Sequence, residues 1–296
     1  MVQYTYFLHF MDNLQNNTLI TVGIPFYNDE RFMALAIDSV VKQTYKDWVL
    51  LLIDDGSTDN SLRIAKEYEK KDTRIKVYSD GKNKNLANRL NQIIDLADTK
   101  YIARMDADDI MAIDRLQIQL EIMESNPNID ILGTNAYSID ESNNILGVRS
   151  IISNELIDVE GFVHPSILVK TQWAKNNKYD SLASRMQDFL LWQKTKDFSC
   201  FKMIKIPLLF YREVGYDYSK KYKKTVLALK NIYIHEENIE TKKRIRKIYC
   251  NNYLKMIVYI FFNFFGLEFY LLKRRNIKLN IQQLNLANNN IKKIIN

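Results

Sequence analysis

Two short apolar runs that each end in a carboxylate cluster constrain this 296-residue chain more than any other feature. Trp48-Val49-Leu50-Leu51-Leu52-Ile53 is continuously apolar, as a strand covered on both faces must be, and it leads straight into Asp54-Asp55-Gly56-Ser57-Thr58-Asp59. Tyr101-Ile102-Ala103-Arg104 is a second such run, followed by Met105-Asp106-Ala107-Asp108-Asp109. Carboxylates cannot continue a buried strand, so each cluster marks a strand end. In open α/β sheets ligands bind outside the carboxyl ends of the strands, which places both clusters on one crevice.

The neighbouring segments fit that frame. Leu19 to Ile24 reads as a first strand stopped by Pro25, and Asn28 or Asp29 can cap a helix whose apolar positions run from Phe32 to Val41 at helical spacing. A helix to about Lys70, a strand at Arg74–Tyr78 and an amphipathic helix at Leu86–Leu96 complete an alternating βαβ pattern up to about Leu132, which predicts a largely parallel sheet. Beyond Asn135 the pattern is less regular: a strand is expected at Val163–Val169, a helix at Arg185–Lys196 and an apolar run at Ile206–Tyr211. From Ser219 on the chain reads as helical and basic, with a frayed end at residues 285–296.

Composition removes several classes. With 47% hydrophobic residues, 8 Gly and 4 Pro the chain is neither collagen-like nor wholly disordered. Two cysteines, Cys200 and Cys250, make no disulfide framework and indicate a reducing compartment, and three His do not supply a zinc site. No G-x-x-x-x-G-K-[ST] or G-x-G-x-x-G run is present, so P-loop and dinucleotide readings lose their support. The N-terminus has no basic region or small-residue cleavage site, so no cleaved signal peptide is expected.

Charge is unevenly spread. Residues 1–210 hold 24 Lys and Arg against 29 Asp and Glu, whereas residues 211–296 hold 18 against 6, so the net charge of +7 is a C-terminal property. Its neighbours are apolar: Met256 to Leu272 is the longest such stretch, interrupted by Asn263, Gly266 and Glu268. Lys242, Lys243, Arg244, Arg246, Lys247 and Lys255 precede or enter it, and Lys273-Arg274-Arg275 follow it. That combination can hold a protein on an anionic membrane face without spanning it; the competing reading is a helix packed on the domain or on a second copy. A nucleic-acid partner is not expected, because the basic tail belongs to no recognised nucleic-acid module and the rest is acidic.

Asp106-Ala107-Asp108 offers two carboxylates at a strand end, from which a hard divalent cation can be held while diphosphate oxygens complete its shell. In Asp54-Asp55-Gly56-Ser57 the carboxylates can accept hydrogen bonds from a base or a ribose, and Gly56 permits the tight turn. Thr58 and Asp59 read as capping residues.

Taken in order, Ile24-Pro25-Phe26-Tyr27-Asn28, Ser39 to Thr44, Asp54 to Asp59 and Arg104 to Asp109 resemble family 2 glycosyltransferases of the GT-A fold, in register over about 90 residues. The likeness continues through Asp114-Arg115-Leu116, His164-Pro165-Ser166, Gln187 to Trp192 and Leu208 to Arg212, and is to the bacterial branch that builds O-antigen and capsule repeat units. It implies an α/β fold with a Rossmann-like, mostly parallel sheet flanked by helices, and a basic helical C-terminal extension. The implied organisation is an N-terminal extension (1–17), a nucleotide-sugar-binding half (18–135), an acceptor and catalytic-base half (136–215) and a C-terminal region (216–296).

The resemblance also implies roles. Pro25 and Tyr27 line the nucleoside, Asp54 and Asp55 belong to the nucleotide-sugar site with Asp55 on the uracil, and Asp106 lies near the ribose and donor sugar. Asp108 holds Mg²⁺ or Mn²⁺, and Asp188 is the catalytic base. The activity implied is inverting transfer of one hexose or N-acetylhexosamine from a UDP-sugar to a saccharide, lipid-linked in this branch, by a cytoplasmic enzyme at the inner membrane face. A processive synthase is disfavoured, since Trp192-Gln193-Lys194-Thr195 is no Gln-x-x-Arg-Trp motif.

Two departures matter. Gln187 stands where the family has a carboxylate beside its base, which removes like-charge help to Asp188 and motivates an alternative, a catalytically weak nucleotide-sugar-binding module. Asn85 stands at a Gly position, the best non-Gly residue for a positive φ. His164 reads either as structural or as approaching the diphosphate or acceptor, and Arg212 as reaching phosphate or making a surface ion pair. Arg104 and Arg115 are expected to neutralise the neighbouring carboxylates, and Trp173 and Trp192 to line the core or an acceptor wall.

Overall fold

The structure, a computed structural model, describes residues 19–181, 185–213, 218–267, 271 and 275–295. The expected N-terminal extension, and Glu268, Lys273 and Arg274, lie outside the described residues. The chain opens with β1 (Ile20–Phe26), α1 (Met33–Val41), β2 (Trp48–Asp54), α2 (Ser61–Lys71), β3 (Ile75–Tyr78), α3 (Leu86–Leu96) and β4 (Tyr101–Arg104), as the alternating pattern predicts. These strands pair in parallel in the order β3-β2-β1-β4.

Next come β5 (Ile110–Met111), α4 (Arg115–Ser125), β6 (Ile131–Ile139), β7 (Ile145–Val148), β8 (Leu156–Asp158), β9 (Leu168–Lys170), α5 (Thr171–Asn176), α6 (Gln187–Thr195) and β10 (Phe201–Arg212). Strand β9 runs antiparallel between β4 and β6, and β10 pairs in parallel with β6, so one mixed sheet spans both halves. Strand β6 itself crosses residue 135, the expected border between the halves. Helices α7 (Tyr218–His235), α8 (Ile239–Phe264) and α9 (Ile281–Ile295) complete the described chain.

Pro25 does not stop β1; it pairs with Ile53 and the strand runs on to Phe26. The Met105 amide bonds to the Gly23 carbonyl and the Asp55 amide to that of Phe26, so odd residues of β1 face β4 and even ones face β2. Pro25 is odd, and paired β4 ends one step earlier at Gly23↔Arg104. Its missing N–H therefore falls where no neighbour needs it. That is the point where β1 and β4 part and the crevice opens.

Ile20, Val22 and Ile24 pack with α1, α2 and α4 on one face, while Leu51, Ile53 and Ile102 meet α3, α5 and α6 on the other. Gly23 lets α3 approach closely: a Cβ there would lie 2.5 Å from Ile93 Cγ2.

Four local expectations need correction. Val163–Val169 is not one strand: His164-Pro165-Ser166 forms a single 3₁₀ turn before β9, because Pro165 at the start of a helical turn has no N–H to contribute to a ladder. Neither Asn28 nor Asp29 caps α1, which starts later at Met33; the Asn28 amide oxygen instead accepts from the Thr58 amide at 2.8 Å. The run at Ile206–Tyr211 belongs to a longer strand, β10, whose register shifts on either side of Pro207. The C-terminus is not frayed through residues 285–295: α9 buries Ala287, Ile291 and Ile294 against Tyr137, Ile139 and Phe210, and its Ile294 carbonyl accepts from Lys42 Nζ at 2.8 Å. Asn85 does take a positive φ of 73° and caps α3 through its side chain.

Because Ile291 is buried, Ile291→Ala is expected to lower unfolding stability by about 2–4 kcal/mol, read as a lower denaturant midpoint with an unchanged slope. A frayed tail would leave the midpoint unmoved.

Candidate active site

The parting of β1 and β4 opens a cleft of about 300 Å³ lined by Pro25, Tyr27, Asp29, Asp55, Asp106 and Asp108 among others. Its walls are two loops tied together by local polar groups. The Asn28 amide donates to Ser57 Oγ at 3.2 Å, Asp29 N to Ser61 Oγ at 2.8 Å and Glu30 N to Asp59 Oδ2 at 3.1 Å. Ser57 and Asp59 thus hold the frame of the cleft; of the two expected capping residues, Asp59 accepts the Ser61 amide at 2.9 Å at the start of α2, whereas Thr58 donates to Asn28 and the N-cap position falls on Asn60, without a side-chain cap bond.

Asp54 and Asp55 separate here. Asp54 is buried and spends Oδ1 on the Ser57 amide and Oδ2 on Ser79 Oγ, so it shapes the turn beneath the cleft rather than lining it. Asp55 lines the cleft and receives Lys84 N at 2.7 Å and Arg89 Nε at 2.9 Å, both on Oδ1, which leaves Oδ2 available to a ligand donor. Arg89 is itself 1% exposed and also bonds Asp80 Oδ1 at 2.7 Å. Its place on the apolar face of α3, between Leu86, Leu90 and Ile93, is the sequence signal for a buried charge.

Across the cleft, carboxylate oxygens of Asp106, Asp108 and Asp109 lie within 4.8 Å of one another. Burial, then repulsion from Asp106 and Asp29, pushes the Asp108 carboxyl up to about 7, and burial raises Asp29 to about 6. Asp109 is almost fully buried; its Oδ1 accepts the Arg212 amide at 2.8 Å while its Oδ2 has no hydrogen-bond partner. A set of hard oxygens with excess negative charge and one orphaned buried acceptor fits a divalent cation of the Mg²⁺ or Mn²⁺ kind. Asp29 and Asp109 were not among the expected site residues.

Arg212 does not make a surface ion pair. It is 3% exposed, donates from Nε to the Asp108 carbonyl at 2.6 Å and from Nη1 to that of Asp140 at 2.7 Å, and lies over the Phe32 ring. Its work is to clamp the acidic loop onto the end of β10. Among the described residues Arg115 bonds no carboxylate: its guanidinium serves the carbonyls of Arg104, Pro165 and Ile167, and its charge meets that of Asp109 through space. Arg104 does pair with Asp106, yet its Nε and Nη1 are buried without partners.

Asp188 stands in the first turn of α6, a helix entered through Met186 in the left-handed conformation, φ 61°. Burial raises its carboxyl above the ordinary range, and it lies within electrostatic reach of Arg104 and Asp106. His164 Nδ1 is 3.9 Å from Asp188 Oδ2, too far for a hydrogen bond, while its Nε2 meets the Tyr179 hydroxyl at 2.7 Å. Burial holds His164 well below its usual range, so it stands neutral beside Asp188. Gln187 is buried beside Asp188 at the start of the same helix. Trp173 and Trp192 are core: both pack edge-on against Phe201.

The family model for glycosyl transferase family 2 matches residues 21–191, and the chain belongs to that family. It is 31% identical over 262 residues to an uncharacterized glycosyltransferase of Methanocaldococcus jannaschii, covering 82% of this chain and 88% of that one. It is 37% identical over 129 residues to the UDP-Glc:α-D-GlcNAc-diphosphoundecaprenol β-1,3-glucosyltransferase WfgD of Escherichia coli, covering 44% of this chain and 49% of that one. Among solved structures, the mannosyltransferase PcManGT from Pyrobaculum calidifontis, in complex with GDP-Man and Mn²⁺, superposes with a TM-score of 0.59 at 12% identity, over 99% of this chain and 88% of that one. The fold is therefore GT-A and the protein is a glycosyltransferase.

Asp108→Ala is expected to abolish Mn²⁺-dependent UDP binding in calorimetry, whereas Asp55→Ala weakens UDP with or without metal. A proton on Asp108 competes with the cation, so Mn²⁺ affinity should fall below pH about 7, approaching about tenfold per pH unit, and level off above it. Affinity that stays flat from pH 5 to 8 contradicts the assignment.

Proposed function

We propose that the protein is an inverting, divalent-metal-dependent hexosyltransferase that moves one hexose or N-acetylhexosamine from a UDP-sugar to a saccharide on a lipid carrier, in surface-polysaccharide synthesis. The observation that carries this reading is a single cleft lined by Asp55, Asp106 and Asp108, with Asp188, a partly buried carboxylate of raised pKa, within electrostatic reach of Asp106. The names of WfgD, with its UDP-glucose donor and diphosphoundecaprenol-linked acceptor, support the choice of donor and acceptor class.

Pro25 and Tyr27 wall the nucleoside, and Asp55 accepts from its base. Asp106 and Asp108, with Asp109 behind them, would hold the cation, which when bound offsets the charge developing on the leaving nucleoside diphosphate. Asp188 accepts the proton of the incoming hydroxyl. The acceptor oxygen forms its bond to the anomeric carbon as the bond to the phosphate oxygen breaks, with that electron pair leaving on the diphosphate. Attack opposite the leaving group inverts the centre. Neutral His164 beside Asp188 can take part in positioning the acceptor hydroxyl without adding charge.

The reading of a catalytically weak binding module rests on Gln187 alone. Burial raises Asp188 even without a carboxylate neighbour, so basicity does not depend on the missing pair. A screen of UDP-, GDP- and dTDP-sugars for nucleotide release, with divalent metal present or chelated, tests the donor. Asp188→Asn should keep donor affinity and cut turnover about 10²–10⁴-fold. Gln187→Glu should move the acid limb of the pH–rate profile upward, by like-charge repulsion. Wild-type turnover in Asp188→Asn assigns the base elsewhere.

We place the enzyme on the cytoplasmic face of the membrane. Cys200 and Cys250 are free thiols, as a reducing compartment favours. Among the described residues no helix is long and apolar enough to cross a membrane. Helix α8 turns Ile245 and Tyr259 inward and leaves Leu254, Ile257, Phe261 and Phe264 exposed, the last at 83%. Exposed Arg246, Lys247 and Lys255 share the helix, and each basic residue near an anionic leaflet adds about 1 kcal/mol. The full chain should sediment with anionic vesicles at low salt and partly release at high salt. Phe261→Ser combined with Phe264→Ser should stay in the supernatant, and a full chain that ignores such vesicles ends the membrane assignment.

A further inference from the structure

A second cavity, about 290 Å³, lies between the end of β10 and the α7–α8 pair, and its chemistry is the reverse of the donor cleft. Among the described residues, Arg149, Lys221 and Arg275 line it, with Glu213 as the single carboxylate. Glu213 is engaged: it pairs with Arg149 and accepts the Tyr218 hydroxyl at 2.5 Å. The balance of the lining is cationic. Arg275 lies 4.7 Å from the centre of the Tyr218 ring and donates to the Tyr222 hydroxyl at 2.8 Å, which keeps the proton of that hydroxyl for a ligand. Burial first, then repulsion from Arg185 and Arg275, hold Lys221 below the usual lysine range, against the pull of Glu213 and Asp108.

Position says which anion. Met186, which opens the helix carrying Asp188, lines the cavity, and so does Arg212, whose guanidinium holds the Asp108 carbonyl. The cavity thus adjoins both the helix that carries Asp188 and the loop that carries Asp108. Asn252 of α8 lines it too, and Leu254, Ile257 and Phe261 continue along the same helix into solvent. We propose that this cavity seats the diphosphate of a lipid-linked acceptor, whose chain leaves along the apolar face of α8; this rests on the acceptor reading above.

Metal-free conditions separate the two sites, because the acidic donor cleft repels a diphosphate when no cation is present. Calorimetry of the full chain with geranyl diphosphate in EDTA should show binding, weakened about tenfold or more by Lys221→Gln with Arg275→Gln, and unaltered by Lys224→Gln, an exposed lysine of the same helix. Lys221→Gln alone, expected to show a smaller loss, serves if the double variant unfolds. Inorganic pyrophosphate should bind the same site more weakly. Absence of binding, equal loss in Lys224→Gln, or pyrophosphate binding as tight as geranyl diphosphate overturns the proposal. Separately measured Mn²⁺-dependent UDP binding tells the two failures apart: if it is intact while the diphosphate site is absent, only this inference falls, and if it is absent, the transferase reading falls.

Discussion

Four carboxylates crowd the gap where β1 and β4 part, and the rest of the molecule is arranged to tolerate them. Two unit charges about 5 Å apart repel by about 3 kcal/mol at an effective dielectric of about 20, and Asp106, Asp108 and Asp109 are that close, with Asp29 adding to the repulsion. Partial protonation is one outlet, seen in the raised Asp29 and Asp108. The other is clamping from outside the loop. Arg104 at the end of β4 pairs with Asp106, and Arg212 at the end of β10 binds the loop through its backbone amide and its guanidinium. The register of β10 on β6 is therefore part of the donor site, although β10 contributes no side chain to the donor cleft.

What could be read from the sequence was what is local. An apolar run ended by carboxylates is a strand end wherever it occurs, so the crevice and Asp55, Asp106 and Asp108 followed from spacing of a few residues. The roles of Asp54 and Asp55 were not separable, because only the fold shows Ser79 reaching Asp54 and Arg89 reaching Asp55. Arg212 looked like a charged residue at a strand end; its partners, Asp108, Asp140 and Asn143, lie about 70 to 100 residues away. The C-terminal helix failed for a different reason. Asn-rich α9 has weak helix propensity, and burial of Ala287, Ile291 and Ile294 on the far end of the sheet overrides it. His164-Pro165 shows the converse, a local rule about proline that outweighed a β-branched run.

The two cavities take opposite charge for one geometric reason. Transfer needs a leaving diphosphate on one side of the anomeric carbon and an incoming hydroxyl on the other. On the proposed reading the acidic donor cleft holds a diphosphate weakly unless a cation accompanies it. The cavity beside α6, whose described lining is cationic, would hold a diphosphate without an ion. Such a division would keep the proposed acceptor carrier from competing for the donor cleft in the absence of metal. It also gives α8 two duties that its sequence periodicity can satisfy at once: Asn252 and Tyr259, seven residues apart on one face, look toward α7 and the cavity, and the aromatic residues between and beyond them look outward. On the proposed reading the basic, apolar C-terminal region is the acceptor half of the site, packed beside the helix that carries Asp188 by the same α7–α8 contact that leaves its outer face bare.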